Sequence, residues 1–67
     1  MYEMTMYWSK EDERYLVEIS ELPGGMADGK TREEALANVE RVISEWIEVA
    51  VSDGREIPEP QGRIMYA

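Results

Sequence analysis

A single-domain α+β fold, with one helix packed on an antiparallel sheet of three to four strands, is predicted by three features of the 67 residues. Two consecutive stretches alternate apolar and polar residues with a period of two. A Leu-Pro-Gly-Gly break follows them. One long segment then repeats its apolar residues at helical spacing. Read in order, the segments give strand, strand, short strand, helix and a final short strand, which is one sheet covered by one helix.

The first strand is expected over residues 2–8. Tyr2, Met4, Met6 and Trp8 fall on one face and Glu3, Thr5 and Tyr7 on the other, as in a strand with one buried face. Ser9, Lys10, Glu11, Asp12 and Glu13 contain no apolar side chain and have the length of a hairpin loop. Residues 14–20 resume the alternation, with Tyr15, Val17 and Ile19 facing one way and Leu16, Glu18 and Ser20 the other. β-Branched and aromatic residues dominate the inward set, as a half-buried pleated surface favours. An antiparallel hairpin is the economical way to join the two runs. Leu22-Pro23-Gly24-Gly25 ends it, because proline withdraws a donor while glycine permits positive φ and close backbone approach. Met26, Ala27 and Asp28 leave room for one short strand before the turn dipeptide Asp28-Gly29.

Thr31-Arg32-Glu33-Glu34 has the spacing of a capping box, in which the Thr31 hydroxyl accepts from the Glu34 N–H and the Glu34 carboxylate reaches back. Glu33 and Glu34 also suit the positive end of the helix dipole. The helix is expected to reach about Ser52 and to stop at Asp53-Gly54, where glycine can take the left-handed cap. Leu36, Val39, Ile43, Ile47 and Ala50 form its central apolar stripe, with Trp46 beside it. Ala35, Val42 and Val49 widen that arc along one flank, which reads as a second contact surface. Glu33, Glu34, Glu40, Arg41, Glu45 and Glu48 occupy the opposite face. Pro58 and Pro60 then mark an extended connection. Beyond it Ile64 and Tyr66 alternate against Arg63 and Met65, as in a last strand that rejoins the sheet or pairs with another subunit.

Charge narrows the function. Fifteen Asp and Glu against seven Lys and Arg, with no His, give a net charge of −8. Nucleic-acid binding draws its affinity from neutralised phosphates, and anionic membrane surfaces repel acidic chains, so neither is expected as a direct partner. A basic protein is the natural complement. The longest apolar run, Ile64-Met65-Tyr66-Ala67, falls far below the ~20 residues of a membrane span. No signal-peptide pattern opens the sequence, so a cytoplasmic location is expected. Without Cys or His, disulfides and a structural zinc site are excluded. A core this small supplies only about 3–5 kcal/mol net, which leaves self-association, as a dimer or tetramer, as the expected supplement.

An ordered set of residues carries a family resemblance. Leu22-Pro23-Gly24, Ala27-Asp28-Gly29, Thr31, Glu33-Glu34-Ala35-Leu36-Ala37-Asn38, Trp46 and the run from Gly54 through Ile57-Pro58-Glu59-Pro60 resemble the HicB family of antitoxins, as does the acidic hairpin before Tyr15. The likeness covers nearly the whole chain, residues 1–67, as one HicB-like domain. It implies a β-β-β-α-β fold, described for the family as degenerate ribonuclease-H-like or partial double-stranded-RNA-binding-like. It also implies neutralisation of a small basic mRNA-cleaving toxin of the HicA type. Gly25 stands where the family often has Cys. Many relatives add a C-terminal DNA-binding domain, to which nothing in this sequence corresponds, so action through protein contact is expected in place of direct operator binding.

Catalysis is not expected, and no cofactor or metal is assigned. Ser9, Ser20, Ser44 and Ser52 have no His to activate them. Gly29-Lys30-Thr31 precedes a helix but lacks the upstream glycine of a phosphate loop. The alternative from another class is a residual metal-dependent nuclease using Asp12, Glu18 and Asp28; a third is an oligomeric scaffold without a toxin partner. The aromatic residues lack the basic groove that single-stranded RNA requires. The candidate partner-binding residues are therefore Glu11, Asp12, Glu13, Asp28, Glu33 and Glu34. Ala35, Val42, Trp46, Val49, Ile64 and Tyr66 are the candidate oligomer contacts.

Overall fold

The computed structural model describes residues 1–66. Strand β1 (Met4–Ser9) and strand β2 (Arg14–Ile19) form the expected hairpin, in register from Met4 opposite Ile19 to Ser9 opposite Arg14. In its loop Glu13 adopts φ 52°, and the Ser9 hydroxyl accepts from the Asp12 N–H and donates to the Asp12 carboxylate. Strand β3 (Met26–Gly29) adds antiparallel to β2. Helix α1 (Arg32–Ser52) follows, and strand β4 (Ile64–Tyr66) completes the order β3-β2-β1-β4.

The α+β class and the element order are as expected, but the sheet is mixed. β4 pairs with β1 in parallel. The reason is topological: β3 runs parallel to β1, and the helix carries the chain back along the sheet before the next strand begins. A strand after such a crossover runs parallel to the one before it.

Met4, Met6, Val17 and Ile19 from the sheet, with Tyr2 just before it, pack with Leu22 and with Ala35 and Val39 of α1. Met6, Leu22, Val17 and Val39 are fully buried, each contributing roughly 1.5–3 kcal/mol of transfer free energy. The helix lies over β2 and β3. Its first turn presses on β3 so closely that a Cβ on Gly29 would overlap the Ala35 backbone nitrogen and stand 2.8 Å from its Cα. Glycine is required there for space.

Both helix ends follow the sequence signals with one change. The Thr31 hydroxyl accepts from the Glu34 N–H at 3.0 Å. The Glu34 carboxylate does not complete the box; it turns towards Arg14, 3.8 Å away. At the other end Gly54, at φ 70°, donates to the Val51 carbonyl and Arg55 to the Ala50 carbonyl, closing a Schellman cap.

Trp8 shares the inward face of β1 yet is 48% exposed. The helix begins over Tyr15, whose ring lies under the Arg32 guanidinium, and does not reach Trp8. Trp8 packs edge-on against Tyr15 instead, with ring centroids 5.0 Å apart. The connection before β4 is held by the Tyr2 hydroxyl donating to the Pro58 carbonyl (2.8 Å) and by backbone bonds Gly62 to Met1 and Met4 to Arg63. No helix among the described residues is long and apolar enough to cross a membrane.

Candidate functional site

The six candidate partner-binding carboxylates lie at one end of the molecule, where the β1–β2 loop, the end of β3 and the start of α1 meet. The structure divides them. Arg14 Nε holds the Asp28 carboxylate at 2.9 Å and its Nη2 lies 3.8 Å from Glu34, so these two are engaged within the chain. Glu11, Asp12, Glu13 and Glu33 are exposed and carry no ion pair among the described residues.

Lys10, Arg14, Lys30 and Arg32 stand among these carboxylates, so this end takes four of the seven cations. Most of the uncompensated charge lies elsewhere. Glu40, Glu45 and Glu48 face outward from α1 with only Arg41 among them, and Glu56 and Glu59 extend along the connection to β4. Counting cations along the chain reveals this asymmetry without coordinates; counting acidic residues conceals it.

The three carboxylates of the nuclease alternative are not assembled. Asp12 is held by Ser9, Asp28 is paired with Arg14, and Glu18 accepts from the Tyr7 hydroxyl at 3.5 Å. Partial desolvation, and then the Glu18 charge and hydrogen bond, push the Tyr7 hydroxyl above its ordinary pKa. No group of three potential metal ligands occurs among the described residues.

The candidate oligomer contacts also separate. Ala35 is fully buried against Gly29 and cannot touch another chain: an alanine on the helix flank is small enough for the closest helix–strand approach, and that is where it is placed. Trp46 is half-buried, and its indole N–H donates to the Pro23 carbonyl at 3.1 Å, tying the helix to the loop before β3. Val42 and Val49 flank it in a shallow groove bordered by Glu45 and Arg55. Ile64 is half-buried at the sheet edge and Tyr66 is 60% exposed.

Two features lay outside the sequence reading. Met65 is 38% exposed on the side of the sheet without a helix. Glu21 accepts the N–H groups of Glu3 (2.9 Å) and Gln61 (2.7 Å), fastening β1 and the connection to β4 at one point. Desolvation opposes ionisation of this carboxyl, but the two hydrogen bonds outweigh it and hold its pKa below the usual value. Nothing local announces the role of Glu21, because it depends on residues 18 and 40 positions away.

Against known proteins, the pattern of a family described as UPF0150-like matches residues 2–58. A UPF0150 protein of Thermoplasma acidophilum is 40% identical over 48 residues, covering 72% of this chain and 70% of that protein. No solved structure matches the chain significantly. The chain belongs to the UPF0150 family.

Proposed function

We propose that this protein is a non-catalytic, HicB-like protein-binding module of antitoxin type, which works in the cytoplasm, associates with itself and neutralises a small basic mRNA-cleaving partner of the HicA kind. The observation that carries the reading is the state of the acidic groups. Among the described residues only Asp28, Glu34 and Asp53 take part in ion pairs, so most of the fifteen carboxylates stand unpaired at the surface. An RNA-cleaving protein keeps a basic surface for phosphates, and a surface of unpaired carboxylates competes for it by the same electrostatics. The UPF0150 membership and the Leu22-Pro23-Gly24 to Pro60 pattern support the reading. Neither a metal nor a cofactor enters it.

The test is to mix the purified chain with a HicA-like protein encoded beside its gene and to follow RNA cleavage. The expected result is loss of cleavage at equimolar ratio, weakening as salt shortens the screening length below about 8 Å. Undiminished cleavage at excess of the chain overturns the proposal.

A further inference from the structure

We infer that the outer edge of β4 pairs with itself: two copies of this chain join β4 to β4, antiparallel across a two-fold axis at Met65, and continue one sheet into the other. This names the surface for the self-association proposed above and rests on that part of the reading alone.

The backbone supplies the first argument. The Arg63 carbonyl accepts from the Met4 N–H at 2.8 Å, so Arg63 faces β1. Successive strand residues turn their backbone groups to opposite sides. Ile64 and Tyr66 therefore point their N–H and C=O groups away from β1, and β4 is the last strand of the sheet among the described residues. Two outward residues separated by one are what antiparallel self-pairing requires. With Ile64 opposite Tyr66 of the second copy, each such pair exchanges both of its hydrogen bonds and Met65 meets Met65.

The side chains agree with that register. Ile64 and Tyr66 lie on the helix-covered side, beside Met4 and Met6, and form a β-branched–aromatic pair across the axis. Trp8, the next inward position after Met6, extends the apolar surface next to Tyr66. On the opposite side the two Met65 side chains cover each other.

Charge decides between this edge and its rivals. Two copies at −8 repel, and they do so least where no carboxylate lies. Residues 60–66 contain none, nor do residues 4–10, which include the strand paired with them; the only charges in the two stretches are Arg63 and Lys10, and the carboxylate of Glu21 beside them is bound to the N–H groups of Glu3 and Gln61. At the β3 edge, by contrast, Asp28 is present and its carbonyl is occupied by the Asn38 amide at 2.7 Å. The groove of Val42, Trp46 and Val49 is bordered by Glu45 and Arg55, so a carboxylate lies on it even though a cation stands beside it.

The chain has no cysteine, so Met65→Cys introduces a single thiol. In the proposed register it faces its own copy in a non-hydrogen-bonded pair, with Cα atoms about 4.5 Å apart, within the span of a disulfide. Under mild oxidation Met65→Cys is expected to form a covalent dimer, while Val49→Cys, 57% exposed on the rival flank, stays predominantly monomeric. Met65→Glu, which places two carboxylates opposite each other, is expected to weaken the dimer by roughly fivefold in sedimentation, with circular dichroism confirming the fold. Met65→Cys that remains monomeric under oxidation, or Val49→Cys that cross-links as fast, overturns the inference. A chain that cross-links through Met65→Cys yet leaves RNA cleavage undiminished retains the inference and loses the antitoxin reading.

Discussion

Both outer strands of the sheet turn backbone groups outward, but at the β3 edge one of them, the Asp28 carbonyl, is taken by Asn38, while at the β4 edge Ile64 and Tyr66 have no such partner among the described residues. β3 is paired with β2, pressed by the first turn of α1 at Gly29, and capped at the Asp28 carbonyl by Asn38. β4 is a three-residue strand held to β1 and reached by a long connection that Tyr2 and Glu21 fasten from the side. An exposed edge invites another strand, and proteins commonly cover or charge such edges. Here one edge is covered at one carbonyl and borders the ion pairs of Arg14, and the other is left open, with no carboxylate in its own strand. Under the self-pairing proposed above, the first edge contributes stability and the second recognition.

The comparison is broken most severely at Gly29. Gly29→Ala forces a Cβ into the Ala35 backbone, which no rotamer can relieve. The expected cost is at the upper end of about 1–3 kcal/mol, a melting point lower by on the order of 10–20 °C in a thermal scan. An unchanged melting point would mean that the helix does not sit on β3 as described. On the open side Tyr2→Phe removes only the hydrogen bond to Pro58, and is expected to cost about 0.5–1.5 kcal/mol. Its mark is faster amide exchange confined to residues 58–66, with β3 and α1 unaffected.

Glu21 sharpens the same contrast through pH. Its pKa in the folded chain lies below the ordinary value of 4.5, so its contribution is fully present above that value and is lost as pH falls through the lower folded one. Acidification from neutral to below 4.5 should loosen the connection to β4 before β3, and Glu21→Gln should abolish that difference in an exchange profile. The smallest effect is expected at Arg14→Gln. The Asp28 and Glu34 pairs are partly exposed, so screening limits the loss to about 0–1 kcal/mol in chemical denaturation.

The covered edge was largely legible in the sequence, and the open one less so. Local chemistry writes the hairpin, the Thr31 cap and the Gly54 stop, since each depends on neighbours within a few residues. The third strand follows from the space between the Leu22-Pro23-Gly24-Gly25 break and the Asp28-Gly29 turn, and the helix flank from periodicity. The parallel direction of β4 does not, because it depends on where a helix and a proline-marked connection deliver the chain. Ala35 shows the limit of reading a flank from its wheel position: it lies on the arc assigned to a partner, yet Gly29 draws it into the closest approach in the fold. The carboxylates were visible as a group, but their division into Asp28 and Glu34, engaged by Arg14, and the unpaired remainder required the register of β2 against β3.

The most direct test of the open-edge account is amide hydrogen exchange across β3 and β4 as a function of protein concentration. The Ile64 and Tyr66 amides, turned away from β1, should gain protection as concentration rises, while the protection of Met65 and of the β3 amides stays constant. Exchange at Ile64 and Tyr66 that is independent of concentration, with protection appearing instead at Val42 and Val49, would contradict it.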